Sequence, residues 1–217
     1  MPRQPQQDRS RATRQGLLSA TIESLAEVGW AGTTVVAVAQ RAGVSRGAAQ
    51  HHFATRDELV QAAVHTVARE LTDDLAARGA ELDAQDDRVL GVLEALVGIW
   101  TGPFGRAATH LWVAASTDPS LRELVLPLER QFNRDVYRVT LELLRADGDR
   151  PEVREAVQLT LDLVRGIGLS VLLRPDRRRR DRRRAELVRW SEQLAATIGV
   201  PASPDVIRTE PKMAPSV

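Results

Sequence analysis

The stretch from Val35 to Phe53, VVAVAQRAGVSRGAAQHHF, predicts two short helices joined by a tight turn. Thr34 and Ser45 stand immediately before the two helical segments, and both residue types favour the N-cap position of a helix. Gly43 lies between the segments, where a glycine can adopt the positive φ that ends a helix. The small side chain of Ala39 allows the two helices to cross closely. The pattern is that of a helix-turn-helix.

The predicted helix pair separates an apolar face from a polar face. Apolar side chains at helical spacing face a shared core: Val38, Ala42, Val44 and Ala49. The exposed face of the second helix carries small, polar or cationic residues that can enter a DNA major groove: Ser45, Arg46, Gly47, Gln50 and His51. A helix pair that only packs is the alternative, but the caps, the turn glycine and the basic charge together favour DNA binding.

The composition of the 217 residues excludes several classes of protein. The absence of cysteine excludes disulfides, a thiolate zinc site and a cysteine nucleophile, and it fits a reducing cytoplasm. Adjacent His51 and His52 point about 100° apart on a helix, so no metal site is expected there. Neither a phosphate-binding glycine loop nor a recognisable catalytic triad is present, so no cofactor and no enzymatic activity are expected. No apolar run is long enough to span a membrane, and the polar N-terminus is not a secretory signal.

Charge is distributed unevenly along the chain, although its net value is only +1. Residues 1–56 carry seven arginines and three acidic residues, a net charge of +4, which leaves about −3 on the remainder. A basic head on a slightly acidic body is expected when only the head contacts DNA phosphates. The first arginines belong either to an arm that reaches a minor groove or to a solvated leader: Arg3, Arg9, Arg11 and Arg14.

Apolar residues recur at three- and four-residue spacing along almost the whole chain, which predicts an all-α protein of about nine helices. The predicted domains are a flexible basic leader at 1–9, a helix-turn-helix head at 10–56, and a helical body at 57–199. The predicted helices are 11–28, 35–42, 46–53, 56–78, 85–100, 105–116, 120–147, 151–173 and 176–198. Pro127 is expected to kink or shorten its helix. The proline-rich segment 200–217 is predicted to be a disordered tail.

The segment from Arg11 to about Leu59 resembles the DNA-binding head of the TetR family of bacterial repressors. Two phrases carry the resemblance: GVSRGAAQHHF at Gly43–Phe53 and TRDEL at Thr55–Leu59. The helical body is similar to that family only in length and helix number. The resemblance implies a homodimer that binds double-stranded operator DNA with its heads and a small molecule with its body.

The resemblance implies roles for individual residues of the head. Thr34 and His52 would hold the phosphate backbone, as would Arg56, which stands where the family usually has lysine. Other residues would lie near base edges or phosphates: Ser45, Arg46, Gly47 and His51. Gln50 replaces the family's usual tyrosine and can pair with an adenine edge. Ala49 replaces its usual leucine, which should weaken the packing of the recognition helix by about 1–2 kcal/mol at most.

The body carries a candidate interface and a candidate pocket. Segment 151–173 is apolar around most of its girth, and with 176–198 it forms either a four-helix homodimer interface or ordinary intrachain core. Arg165 can pair with Asp162 three residues earlier, or contact a polar ligand group or a symmetry mate. The candidate ligand-binding residues, for which intrachain core is the alternative, are Trp100, Phe104, His110, Trp112, Asn133, Tyr137 and Arg165.

Two functional hypotheses follow from these observations. In the first, the protein is a cytoplasmic repressor that a small, mainly apolar ligand releases from a palindromic operator. In the second, the head binds DNA in the same way, but the body serves only dimerisation or protein contacts. The arginine run Arg177–Arg184 is expected to be a solvated loop and helix start, with a second nucleic-acid contact as the alternative.

Overall fold

A computed structural model of the chain describes residues 4–85, 87–173 and 177–199. Within those ranges the chain forms ten helices and no strand, so the all-α prediction is confirmed. Nine of the helices correspond to predicted ones, and the tenth is a single turn at Gly79–Asp83 that the sequence did not predict. The helices are α1 (Gln4–Gly32), α2 (Val35–Arg41), α3 (Arg46–His52), α4 (Arg56–Ala77), α5 (Gly79–Asp83), α6 (Arg88–Thr101), α7 (Pro103–Thr117), α8 (Pro119–Leu144), α9 (Pro151–Leu173) and α10 (Arg177–Ile198).

The N-caps of the head follow directly from local sequence. The side-chain oxygens of Thr34, Ser45 and Thr55 each accept a hydrogen bond from the backbone N–H three residues later, at 3.1 Å. Glu58 completes the cap of α4, because its carboxylate accepts the Ala54 N–H at 2.9 Å. Three short-range signals therefore fix where α2, α3 and α4 begin.

Gly43 adopts a φ of 68°, which confirms the positive φ predicted for the turn. Gly43→Ala is expected to lower the free energy of unfolding by about 1–2 kcal/mol, because a β-carbon is disfavoured in the left-handed region. Gly16→Ala is the matched control, since Gly16 is exposed within α1 and an added Cβ would meet nothing within 4 Å. That control should raise stability by about 0.5–1 kcal/mol. Urea unfolding of both variants measures the difference, and equal stabilities would contradict the turn geometry.

Helix α1 is longer than predicted at both ends. It begins at Gln4 rather than Arg11, so residues 4–9, which the sequence predicts as part of a flexible leader, are helical; residues 1–3 lie outside the described residues. Pro5 is tolerated in a first helical turn, and the glutamines and arginine that follow favour helix. The helix bends at Gly29, where φ is 66° and ψ is −169°.

Helix α8 passes through its internal proline. It runs from Pro119 to Leu144, so the shortening expected at Pro127 is absent. Pro127 is exposed, and water can therefore bind the Glu123 carbonyl that lacks its helical N–H partner. The helix ends before the predicted residue 147, because Arg145 adopts a left-handed conformation with φ 52°. The predicted tail at 200–217 lies outside the described residues.

Head and body share one hydrophobic core. Helix α1 packs most extensively against α7 of the body and also against α4. Its Leu17, Leu18 and Leu25 are fully buried in the same cluster that contains Leu111 of α7. On the smaller head helices Val38 and Ala49 are fully buried as predicted, whereas Ala42 and Val44 are only partly buried. The head is therefore fixed to the body through buried side chains as well as through the chain.

Candidate nucleic-acid interface and body cavity

The predicted DNA-contacting residues lie at the start of α2, along α3 and at the start of α4. Six of them are exposed: Thr34, Ser45, Arg46, Gly47, Gln50 and His51. His52 and Arg56 are half-buried. Because Ala49 is fully buried on the opposite side of α3, the helix presents its polar residues outward as a DNA-reading helix must.

The capping hydroxyls of Thr34 and Ser45 can each accept one hydrogen bond and donate another. Each oxygen accepts the N–H that caps its helix. A hydroxyl also carries one donor hydrogen, which these caps leave free to bind a phosphate oxygen. The residues that fix the helix starts can therefore also hold the DNA backbone.

Arg56 has a partner that the sequence did not reveal. Its guanidinium carbon lies 3.3 Å from the centroid of the Trp30 indole, a cation–π contact across the bend that follows Gly29. Burial lowers the pKa of the Arg56 guanidinium, while Asp57 and Asp118 act in the opposite direction. Trp30 stands in what the sequence predicts as a loop, and its size was the only signal of a packing role. The contact holds Arg56 at the junction of α1 and α4.

Arg41 is held within the head by two acidic residues of α1. Its guanidinium donates to the carboxylates of Glu27 and Glu23, the latter at 3.5 Å. The hydrogen bond from Arg41 holds the pKa of Glu27 below its ordinary value, and the bond to Glu27 raises the pKa of Arg41 in turn. The charge of Arg41 is thus largely balanced locally, and Arg46 on α3 is better placed to meet phosphate.

The N-terminal arginines belong to helix α1 where the structure describes them. Arg9 and Arg11 are exposed on that helix, and Arg14 lies over the Phe53 ring with its guanidinium carbon 5.1 Å from the centroid. Arg3 lies outside the described residues. Arg14 therefore covers the end of α3 rather than forming part of an extended arm.

An aromatic cluster occupies the centre of the body. The Trp100 ring lies 5.3 Å from Trp112 and 6.0 Å from Phe132, and Phe132 lies 4.9 Å from Phe104. Trp100 and Phe104 are almost completely buried, whereas Trp112 is only half-buried. Among the three candidate aromatic residues of this cluster, Trp112 alone lines a cavity in the body.

That cavity has a volume of about 410 Å³ and lies between α7, α8 and α9. Its walls combine an indole, aliphatic side chains and three charged groups: Trp112, Ala115, Ser116, Arg122, Val125, Leu126, Glu129 and Arg165. The sequence-based candidates missed the wall formed by α8. Arg122, Val125 and Glu129 are spaced three and four residues apart, a helical stripe that the sequence does contain.

Arg165 is the most highly connected charged residue at the cavity. Its guanidinium donates to Asp162 and to the side-chain oxygen of Asn133, both at 2.9 Å, and the Asn133 amide donates to Glu129. The Arg165 guanidinium carbon lies 5.3 and 5.7 Å from the two indole centroids of Trp100 and Trp112. The pairing of Arg165 with Asp162 is therefore present, and it leaves Arg165 on the cavity wall.

The remaining ligand candidates lie elsewhere. His110 faces the bend of α1, where a Cβ added at Gly29 would stand 2.9 Å from its Nδ1 atom. Tyr137 is half-buried and packs against the hydrophobic core. The structure brings Trp112, Asn133 and Arg165 together and places His110 at the contact between head and body.

Helix α9 is apolar on two faces. Val157, Leu161 and Val164 are buried in the intrachain core, whereas three leucines on other faces are exposed: Leu159, Leu163 and Leu169. At the start of α10, Arg183 donates to Ser170 at 3.0 Å and Arg184 to Glu94 at 3.3 Å. The earlier side chains of the run Arg177–Arg184 lie outside those described.

Two classes of site are missing from the described residues. No helix there is at once long enough and apolar enough to cross a bilayer. No group of three or more histidine, aspartate or glutamate side chains is arranged there to hold a metal ion.

Comparison with known proteins identifies the family. Residues 17–63 match the family model for bacterial regulatory proteins of the tetR family. The chain is 32% identical over 184 residues to the HTH-type transcriptional regulator CymR of Pseudomonas putida, an alignment that spans 83% of this chain and 89% of CymR.

The chain is also similar to solved protein structures. A transcriptional regulator from Rhodococcus sp. Rha1 is 30% identical, with a TM-score of 0.53 over 86% of this chain and 94% of that one. The multidrug binding protein EbrR in complex with imidazole is 28% identical, with a TM-score of 0.53 over 88% and 98%. In complex with ethidium EbrR is 25% identical, with a TM-score of 0.56 over 86% and 98%. The chain therefore belongs to the TetR family of bacterial transcriptional regulators and is a helix-turn-helix DNA-binding regulator rather than an enzyme.

Proposed function

We propose that the protein is a homodimeric cytoplasmic repressor that leaves a palindromic operator when a small molecule occupies the body cavity. The observation that carries this proposal is the position of α7. One part of α7 contributes Trp112 to the cavity wall, and the same helix packs against α1 of the head. A change at the cavity therefore acts on a helix that directly supports the DNA-binding head.

The DNA-binding half of the proposal rests on α3 and its neighbours. Ser45, Arg46, Gly47, Gln50 and His51 face the bases or the adjacent phosphates, and Thr34, His52 and Arg56 hold the phosphate backbone. Two heads related by a twofold axis reach successive major grooves when they are about 34–36 Å apart. The operator is then a palindrome with half-sites one helical turn apart.

The sensing half rests on contacts between head and body. Asp118, the N-cap of α8, interacts electrostatically with Arg56, and His110 of α7 lies against the bend at Gly29. Along the chain, His110 precedes Trp112 and Asp118 follows it. A ligand that binds one arrangement of α7 and α8 better than another shifts the population of head positions. The similar multidrug binding protein EbrR has been solved in complex with ethidium, which supports a response to a small molecule.

The decisive experiment uses the purified full chain and a random duplex library. Repeated selection is expected to enrich a palindrome, and footprinting should show protection on both half-sites. Small molecules are then tested for release of the protein from the selected duplex. If a palindrome is bound but no molecule of any charge class releases it, the body serves dimerisation or protein contacts only.

Arg56→Ala is expected to weaken binding to all duplexes, because each head loses one phosphate contact. The plot of log affinity against log salt should lose about one unit of slope per head. Fluorescence anisotropy at several salt concentrations measures both quantities. Arg78→Ala, which removes an exposed arginine at the far end of α4, is the matched control and should leave the slope unchanged. An unchanged slope in the Arg56 variant would mean that the stack on Trp30 is the residue's whole role.

A further inference from the structure

We infer that the effector is a small planar organic anion, such as an aromatic carboxylate, whose charged group binds Arg165 on the wall of the body cavity. This inference rests on the proposed ligand response and adds the chemical class of the ligand. It depends on the arrangement of charge and aromatic surface around Arg165.

The Arg165 guanidinium is positioned but not saturated. Asp162 and Asn133 accept one N–H each, from different terminal nitrogens, so each terminal nitrogen keeps a second N–H. The Nε–H also has no acceptor within the described part of the chain, but it is fully buried. The side chain is 24% exposed and lines the cavity. Guanidinium groups bind carboxylates through paired N–H donors, so a ligand carboxylate can use the N–H groups that the protein leaves unpaired on the two terminal nitrogens. The existing contacts hold the guanidinium in place before the ligand arrives.

The charge balance of the cavity favours an anion over a cation. Its wall contains two arginines, Arg122 and Arg165, against one acidic residue, Glu129. Asp162, which pairs with Arg165, is not on the wall, and its side chain is 53% exposed to solvent, which screens its charge. Glu129 already accepts the Asn133 amide, so its carboxylate serves to orient the residue that holds Arg165. Arg122 donates to the carbonyl oxygens of Ala115 and Ser116, at 3.2 and 2.6 Å, which keeps a second positive charge at the cavity.

The aromatic surface around Arg165 also favours an anionic ligand. The indoles of Trp100 and Trp112 already face the Arg165 guanidinium, so a cationic ligand that stacked on Trp112 would meet a resident positive charge. An anionic group at the same place would instead be attracted by the Arg165 guanidinium. The rest of its body would contact the Trp112 ring and the aliphatic wall formed by Ala115, Val125 and Leu126. A flat hydrocarbon ring system with one carboxylate matches both parts of this surface.

The test uses three probes of similar size and planarity on the full-length protein: 2-naphthoate, its neutral amide 2-naphthamide, and 2-naphthamidinium as the cation. Isothermal titration gives each affinity, and release from the selected operator gives the response. The wild-type protein is expected to bind 2-naphthoate at least about tenfold more tightly than 2-naphthamide, the ratio typical of one charge-assisted hydrogen-bonded contact. Binding of 2-naphthoate should also release the operator.

Arg165→Gln is expected to bring the ratio of the two affinities close to one while the affinity for the amide changes little. Arg165→Lys keeps the charge and should retain part of the preference. Glu129→Gln removes the like charge and should raise the affinity for 2-naphthoate. Arg138→Gln on the exposed face of α8 is the matched control and should behave as wild type. Thermal unfolding of each variant separates a lost contact from a lost fold.

The possible outcomes distinguish the assignment of an anion to Arg165 from the proposed ligand response as a whole. Equal wild-type affinities for naphthoate and naphthamide, or an unchanged ratio in Arg165→Gln, would overturn the assignment of an anion to Arg165. Operator release by 2-naphthamidinium or the amide without any effect of naphthoate would overturn the anion class and leave ligand-controlled repression standing. Failure of all three probes to bind would overturn the anion class as well, and failure of a broad set of all charges to release DNA would overturn the ligand response itself.

Discussion

Gly47→Glu is expected to weaken specific operator binding strongly while the protein remains folded. Gly47 is exposed in the first turn of α3, and an added Cβ would meet only the Ser45 hydroxyl, at 4.0 Å. A glutamate there fits sterically and is favoured by the helix dipole, so stability should be equal or higher. Against DNA, the same carboxylate faces phosphates, with a repulsion of about 1–3 kcal/mol per head. Two heads per dimer then weaken binding by roughly 30-fold or more.

Gly47→Ala separates charge from size in this experiment. Its methyl group adds no charge, so the loss of affinity should be far smaller than in the glutamate variant. Fluorescence anisotropy with the selected operator and urea unfolding, measured on the same samples, give binding and stability together. Wild-type affinity in the Gly47→Glu variant would show that α3 does not face the DNA.

The head was predictable because its signals act over a few residues. A threonine or serine N-cap bonds the N–H three residues later, and a turn glycine acts through its own φ, so neither depends on distant parts of the chain. The polar face of α3 followed from helical spacing alone. Spacing also identified Val38 and Ala49 as buried, although Ala42 and Val44 are less buried than the pattern suggested.

Contacts between distant segments were not predictable in the same way. Nothing in the order of residues brings Trp30 to Arg56, since that contact depends on the bend at Gly29 and on how α4 packs against α1. The ion pair of Arg41 with Glu27 likewise joins two different helices. A count of basic residues therefore overstates the charge available to DNA, because it includes an arginine that the head neutralises itself.

The cavity shows a different limit of sequence reasoning. The aromatic content of α6 and α7 pointed to the part of the body where the cavity lies, but composition does not distinguish a buried ring from a ring on a cavity wall. Trp100 is buried in the hydrophobic core, whereas Trp112 forms part of the cavity wall, because the two rings pack against different neighbours. The charged wall residues Arg122 and Glu129 were missed because an amphipathic helix has similar residues on its solvent face.

The exposed leucines of α9 provide the strongest test of the homodimer. Leu159 and Leu163 are 58% and 39% exposed, one helical turn apart, while the opposite face of α9 is already buried in the core. Gly166 continues this stripe, and an added Cβ there would meet nothing within 4 Å. Exposed leucines in a row beside a small residue favour close contact with another helix. We propose that the twofold partner covers this stripe.

Replacing both leucines, Leu159→Glu with Leu163→Glu, is expected to give a folded monomer. Four carboxylates would otherwise be buried at one twofold interface, and a buried charge without a partner strongly disfavours association. Without its partner a head must bind a half-site alone, so affinity for the palindrome should fall by about 100-fold or more, whereas affinity for an isolated half-site should be unchanged. Sedimentation velocity measures the first effect and anisotropy the second. Val113→Glu is the matched control, since Val113 is 67% exposed on α7 and its replacement should leave the protein dimeric. A double variant that stays dimeric would place the interface on another surface.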